Sequence, residues 1–154
     1  MLSNKAKYAL KAMLALAALK SEERVQSQDI ADQHAIPKKF LDLILFELRK
    51  HGLVRSYRGQ QGGYALAKPS SDITLGNIVR VIDGPLAPIA CASVTGYQQC
   101  GDCDPETCLV RYNMRKVRDA ISAILDQTTL KEASRFKPKK QHAPSRREIL
   151  DYIA

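Results

Sequence analysis

Residues 37–67, PKKFLDLILFELRKHGLVRSYRGQQGGYALA, change their repeat partway along. Leu41, Ile44, Leu45 and Leu48 recur at i, i+3, i+4 and i+7, which predicts an amphipathic helix of about four turns. Pro37 suits its first helical residue, and Arg49, Lys50 and then Gly52 suit its end. Beyond Gly52 the pattern becomes that of a hairpin. Leu53, Val54 and Tyr57 read as one strand and Tyr64, Ala65 and Leu66 as another, around a turn holding Arg58, Gly59, Gln60, Gln61, Gly62 and Gly63. A helix running directly into a basic, glycine-rich hairpin is the plan of a recognition helix with its wing.

The flanking sequence extends that plan. From Ser3 to Lys20, Leu10, Met13, Leu14 and Ala17 predict a first helix, and the alanine content favours it. Ser27 reads as the N-cap of a short second helix over 28–34, with Asp29 in its first turn. Helix, short helix, turn and amphipathic helix form the tri-helical plan of helix-turn-helix proteins. Downstream, Thr74 caps a fourth helix whose apolar face is Leu75, Ile78, Val79 and Ile82, and Asp83-Gly84-Pro85 stops it. Val110, Met114, Val117, Ile121 and Ile124 are spaced as a coiled-coil seam. Such a seam packs either on its own domain or across a second copy, and the short monomeric core favours the second. Thr129 to Glu132 is a capping box, and Ser145 to Glu148 is another before a final short helix. The expected fold is mainly α with a small β-hairpin wing: a winged helix-turn-helix plus a long C-terminal dimerisation helix. Its divisions are residues 1–84 for DNA binding, 85–108 for a cysteine-rich sensor loop, 109–134 for the dimerisation helix and terminal turn, and 135–154 for a basic tail.

Composition limits the function. With 45% hydrophobic, 26% charged and 6% aromatic residues the chain reads as soluble and helix-rich. Lys5, Lys7, Lys11 and Lys20 interrupt the first helix too often for a spanning segment or a secretory signal, so a cytoplasmic location and no membrane partner are expected. The net charge of +8 is uneven: residues 1–68 carry +6, 69–130 carry −2 and 131–154 carry +4. Basic ends suit a polyanion, because lysine and arginine near phosphates release condensed counterions. No G-x-S-x-G, H-E-x-x-H or P-loop pattern occurs, so no enzyme and no small-molecule substrate is expected.

If the third helix lies in the major groove of double-stranded DNA, Lys38, Lys39 and Asp42 stand at its reading end. Lysine donates to guanine or phosphate, and aspartate accepts from cytosine. Two cations at a helix start oppose its dipole unless an anion is near. Ser27, Arg55, Arg58, Gln60, Gln61, Gly62 and Gly63 complete the expected DNA-contacting set. The second chemical feature is the run CASVTGYQQCGDCDPETC, which holds Cys91, Cys100, Cys103 and Cys108 at spacing C-x8-C-x2-C-x4-C. Four cysteines in a reducing compartment favour metal binding or redox chemistry over stapling. An iron–sulfur cluster, a zinc site built on the Cys100/Cys103 pair, and bare switching thiols all fit this spacing.

The segments KYALKAMLALA, ELRKHGLVRSYRGQQGGYALAK and TLGNIVRVIDG, with a cysteine loop closing on CLV, resemble the Rrf2 family of bacterial regulators over about residues 1–133. That resemblance implies a homodimeric regulator of transcription, dimerised through the long fifth helix. It also implies an iron–sulfur cluster, 2Fe–2S or 4Fe–4S, held in many members by three loop cysteines. Cys91 matches the first family cysteine and Cys108 the last, while Cys100 or Cys103 matches the middle one, so this chain has one cysteine more than the pattern. Where relatives place a histidine or a partner-chain carboxylate as fourth ligand, this chain has Arg111 and Lys7. The spare cysteine, a cross-subunit His34 or a small molecule then remains for that role. The reading is a cytoplasmic homodimer on a pseudo-palindromic operator whose affinity is set by a cluster in the loop. The alternatives are the same dimer switched by thiol oxidation or zinc, and a small iron–sulfur redox carrier.

Overall fold

Helix α1 (Asn4–Ala17) turns Ala6, Ala9, Ala12, Met13 and Leu16 inward. Small residues along that face let the neighbouring helices approach closely, and α1 touches α2, α3, α4 and α6. The computed structural model describes residues 2–20, 23–59 and 61–135. Gln60, the tail beyond Arg135 and its final short helix lie outside the described residues.

Helix α2 (Ser27–His34) buries Ile30 and Ala31, and α3 (Lys38–Lys50) buries the expected Leu41, Ile44, Leu45 and Leu48. Two boundaries differ by one residue from the sequence reading. Ser27 is the first residue of α2 and Gln26 the cap, without a side-chain bond. Pro37 is the cap of α3, its ψ of 123° being extended, and Lys38 is the first helical residue. Proline suits either place, because its missing N–H loses no helical bond in the first turn and its φ is fixed near the helical value.

The wing is a two-stranded antiparallel sheet of β1 (Val54–Tyr57) and β2 (Gly63–Leu66), with Val54 opposite Leu66 and Tyr57 opposite Gly63. Leu53 falls just before the strand but is buried all the same. Val25 bridges to Tyr64 with bonds of 2.8 and 3.2 Å, fixing the wing to the loop before α2. Gly63 is required there: at φ 144° a Cβ would meet the Val25 carbonyl oxygen at 2.7 Å. Arg24 stacks its guanidinium 3.8 Å from the centre of the Tyr57 ring, a second tie between that loop and the wing.

Helix α4 (Leu75–Asp83) has the expected Thr74 cap, which the structure extends to a capping box, with Thr74 and Asn77 bonding each other's backbone N–H, and Gly84 ends it at φ 81°. A 3₁₀ turn over Ala90–Ala92 begins the cysteine loop, and α5 (Leu109–Gln127) follows it. Arg80 of α4 forks onto Asp126 of α5 at 2.5 and 2.8 Å. That hydrogen bonding holds the Asp126 carboxyl below the usual carboxylate range. Gly76 makes room for the pair, since a Cβ there would meet an Asp126 oxygen at 2.0 Å. The chain then turns back: Thr74 bridges to Thr129, and α6 (Leu130–Arg135) drops a fully buried Leu130 into the core against α1. Helix α5 is therefore anchored at its far end, yet none of its own residues is buried.

Candidate functional site

The outer face joins α2, α3 and the wing. A cleft of about 350 Å³ is lined by Ser27, Arg49, Ser56, Arg58, Gly62 and Gly63, among others. It thus collects four of the residues expected from sequence to meet DNA, and adds two that the sequence reading missed. Arg49 bonds Ser56 at 3.1 Å and so ties the end of α3 to β1. Arg55 and Gln61 are exposed on the wing, outside the lining of this cleft. Lys38 pairs with Asp42 at 2.9 Å, which gives that cation its anion one helical turn away. Lys39 is exposed and in no ion pair among the described residues. Neutralising Lys39 or Arg58 is therefore expected to lower the slope of log affinity against log salt by about one for each phosphate no longer met, and neutralising Lys38 by less. Titrating labelled duplex at several salt concentrations measures this; an unchanged slope for all three would reject the docking.

The second locus is the loop before α5. Arg111 donates through Nε to the Cys91 carbonyl oxygen and through Nη1 to that of Pro105, each at 2.9 Å. Two turns further, Arg118 donates to the Ala92 carbonyl oxygen at 2.5 Å. Two arginines of α5 thus hold both ends of the loop by its backbone. Cys108 is the N-cap of α5, its sulfur accepting from the Arg111 backbone N–H at 3.4 Å. Cys91 is buried beside the 3₁₀ turn, and Cys100 and Cys103 bring their sulfurs to 3.1 Å.

The thiols influence one another along a chain. Burial first, and then the Cys100 thiol, push Cys91 up. Cys103 is pushed up to about 12, first by its hydrogen bond with Cys100 and next by Cys108. Cys108 is lowered, chiefly by the Arg111 backbone N–H and then by Cys103, as expected for a thiol at a helix N-terminus. The loop draws two of the four expected cysteine ligands, Cys100 and Cys103, to the spacing of a metal site, and carries Cys91 and Cys108 towards its two ends. It adds a carboxylate the sequence reading passed over: an Asp102 oxygen lies within 4.8 Å of both the Cys100 and Cys103 sulfurs. This donor set fits a soft or borderline metal centre, because thiolates in an irregular loop are free to converge on it. His34, at the end of α2, keeps a buried Nε2 with no hydrogen-bond partner among the described residues. Lys7 lies over the Tyr8 ring at 5.7 Å.

The third locus is the seam on α5. Its residues Arg111, Met114, Arg118, Ser122 and Leu125 are half-buried at intervals of three and four, and make the helix's inner face. The seam runs beside that face: Val110 is 63% and Ile124 66% exposed, and Val117 and Ile121 are exposed as well, while Met114 belongs to both. Val117 and Ile121 line a predominantly apolar groove of about 730 Å³ with Leu2, Val79, Pro85 and Pro88. At its rim Ser3 donates from both its N–H and its hydroxyl to Asp83, joining the start of α1 to the end of α4.

Fold and surface together define a winged helix-turn-helix regulator of transcription. The chain belongs to the Rrf2 family, whose model, described as an iron-dependent transcriptional regulator, matches residues 2–135. It is 41% identical to an rrf2-like HTH-type transcriptional regulator of Rhodobacter capsulatus, over 86% of this chain and 91% of that one. Among solved structures it is similar to CymR, described as the global cysteine regulator of B. subtilis, with TM-score 0.75 and 31% identity over 90% and 98% of the two chains. It is also similar to T. potens IscR, with TM-score 0.71 and 30% identity over 94% and 93%. The curated relatives with these names are transcriptional regulators rather than enzymes. No helix of the described residues is long and apolar enough to cross a membrane.

Proposed function

We propose that this regulator works as a homodimer on a pseudo-palindromic operator, and that an iron–sulfur cluster held by the 91–108 loop sets its affinity. The observation that carries the reading is the approach of Cys100, Asp102 and Cys103 in a loop that also holds Cys91 and Cys108 and is tied to α5 by Arg111 and Arg118. The family's iron-dependent description supports it. When bound, a cluster supplies a link among the thiolates that responds to iron supply and oxidation.

The chain's own residues couple that link to DNA. Ligation fixes the Cys108 sulfur, and Cys108 caps the first turn of α5. Arg111 and Arg118 pass the position of the loop to the body of the helix. In this reading residues 109–134 carry the dimer contact, a second copy's α5 covering Val110, Met114, Val117, Ile121 and Ile124, and residues 1–84 carry the DNA contacts. A shift of α5 then alters the spacing between the two α3 helices and the population of dimers that fit both half-sites. A coupling of about 1–3 kcal/mol changes affinity by roughly 5- to 150-fold, enough for a genetic switch.

One observation favours a second reading. The 3.1 Å approach of Cys100 and Cys103 suits a dithiol switch, in which both thiols give up their hydrogens to a small-molecule disulfide that departs as two thiols. Anaerobic purification, a visible spectrum and assays of iron and acid-labile sulfide separate the two. Broad visible absorption with stoichiometric iron and sulfide, and DNA affinity that changes when the iron is removed, are expected. A colourless protein that binds zinc or no metal overturns the cluster; loss of two thiols on treatment with oxidised glutathione then supports the dithiol switch.

A further inference from the structure

Opposite its buried stripe, α3 carries another. Lys39, Leu43, Phe46 and Lys50 follow one another at i, i+4, i+7 and i+11 and form its outer pole. Leu43 is 60% and Phe46 52% exposed, so two large apolar side chains stand in water between two cations. Arg49 holds its guanidinium 5.5 Å from the Phe46 ring centre while bonded to Ser56, which keeps that ring beside the wing.

The surroundings of the pair select its occupant. Lys39 and Lys50 bracket it and Arg49 stands at the Phe46 ring and shares the adjacent cleft with Arg58, so that, against the single carboxylate of Glu47, positive charge prevails and favours a polyanion over an apolar protein partner. At 1.5 Å per residue the two lysines stand about 16 Å apart along the axis, enough to reach the phosphates on either side of a groove about 12 Å wide. Between them Leu43 and Phe46 face the groove floor. The hydrogen-bonding groups of the base edges dominate that floor, and the C5 methyl of thymine is the one apolar group that protrudes from it. Neither side chain can bond a guanine or cytosine edge, so packing over G·C strips water from polar atoms and returns nothing.

From this we infer that Leu43 and Phe46 are specificity-determining residues that read thymine methyl groups, so that each operator half-site carries A·T pairs beneath the middle of α3. The inference rests on the reading that α3 enters the major groove.

Full-length protein is used to enrich duplexes from a randomised library, and the enriched duplex is then remade with deoxyuridine for thymidine, position by position. Uracil keeps the pairing and removes only the methyl. The expected result is a loss of about fourfold for each methyl under α3, the value of one buried carbon of that size. The variant Leu43→Ala/Phe46→Ala, altered only at exposed positions, is expected to bind the thymine and uracil duplexes equally. Replacing cytosine by 5-methylcytosine at a neighbouring floor position is expected to strengthen wild type and not the variant.

Equal wild-type affinity for thymine and uracil duplexes overturns the inference, as does a variant that discriminates as wild type does. A fall in the sedimenting mass of the DNA-free variant also overturns it, because the face would then be a contact between copies. Enrichment of no duplex overturns groove entry and this inference with it, whereas enrichment without uracil sensitivity overturns this inference alone.

Discussion

Ile121→Glu is expected to convert the proposed dimer to monomers and to lower operator affinity by about 10²- to 10⁴-fold. Ile121 stands at the middle of the α5 seam, beside Val117 and over the groove lined by Leu2, Val79, Pro85 and Pro88. A glutamate there would put two carboxylates into an apolar contact between copies, and a buried unpaired charge is not tolerated. The monomer keeps its own core, because α5 contributes no buried side chain to it. The loss on DNA comes from multivalency: two linked half-site contacts become one, and their effective-concentration advantage disappears. Sedimentation measures the mass, circular dichroism confirms the helix content, and fluorescence anisotropy gives the affinity. A variant that remains dimeric would move the dimer contact elsewhere on the molecule.

At Cys108 two roles separate by substitution. Cys108→Ala is expected to abolish the visible absorption and also to free the first turn of α5, at a cost of about 1 kcal/mol for the missing cap. Cys108→Ser keeps an oxygen that can cap the helix but is a poor ligand for iron, so it loses the colour without the loss of stability. Both are expected to hold DNA affinity at the value of the metal-free wild type, a change of about tenfold from the loaded protein. Arg111→Ala is the complementary case. It leaves the four thiols intact and removes the side-chain tie to the Cys91 and Pro105 carbonyls, so the colour should persist while DNA affinity no longer follows it. Thermal unfolding, absorption and anisotropy on the three variants measure each of these. Retention of the colour by both Cys108 variants would remove Cys108 from the ligand set.

What the sequence disclosed depended on whether a contact leaves a period. The buried stripe of α3, the hairpin, the Thr74 cap and the capping box at Thr129 are local patterns, and each stands where the sequence puts it. Cap and first helical position are harder to tell apart, which is why Ser27 and Pro37 moved by one residue. The spacing of the seam on α5 was visible, but the helix's second face was not. The sequence carries no sign that Arg111 and Arg118 bond carbonyls 20 and 26 residues upstream. The cysteine spacing suggests donors without their neighbours, because the approach of Cys100 to Cys103 with Asp102 beside them exists only in three dimensions. Leu43 and Phe46 were hidden differently: apolar residues in a helix rich in apolar residues give no sign of which side they occupy.

The arginine ties have a consequence for how such a protein can change over generations. The side-chain hydrogen bonds of Arg111 and Arg118 to the loop end on main-chain carbonyls at Cys91, Ala92 and Pro105, and Arg111 also lies 5.7 Å from the Tyr97 ring centre. A carbonyl is present whatever residue bears it. The proposed donors Cys100 and Cys103 can thus be exchanged while the carbonyl bonds to α5 survive. If the proposed coupling holds, a transplanted loop of the same span that keeps an aromatic ring at Tyr97 should inherit the existing output.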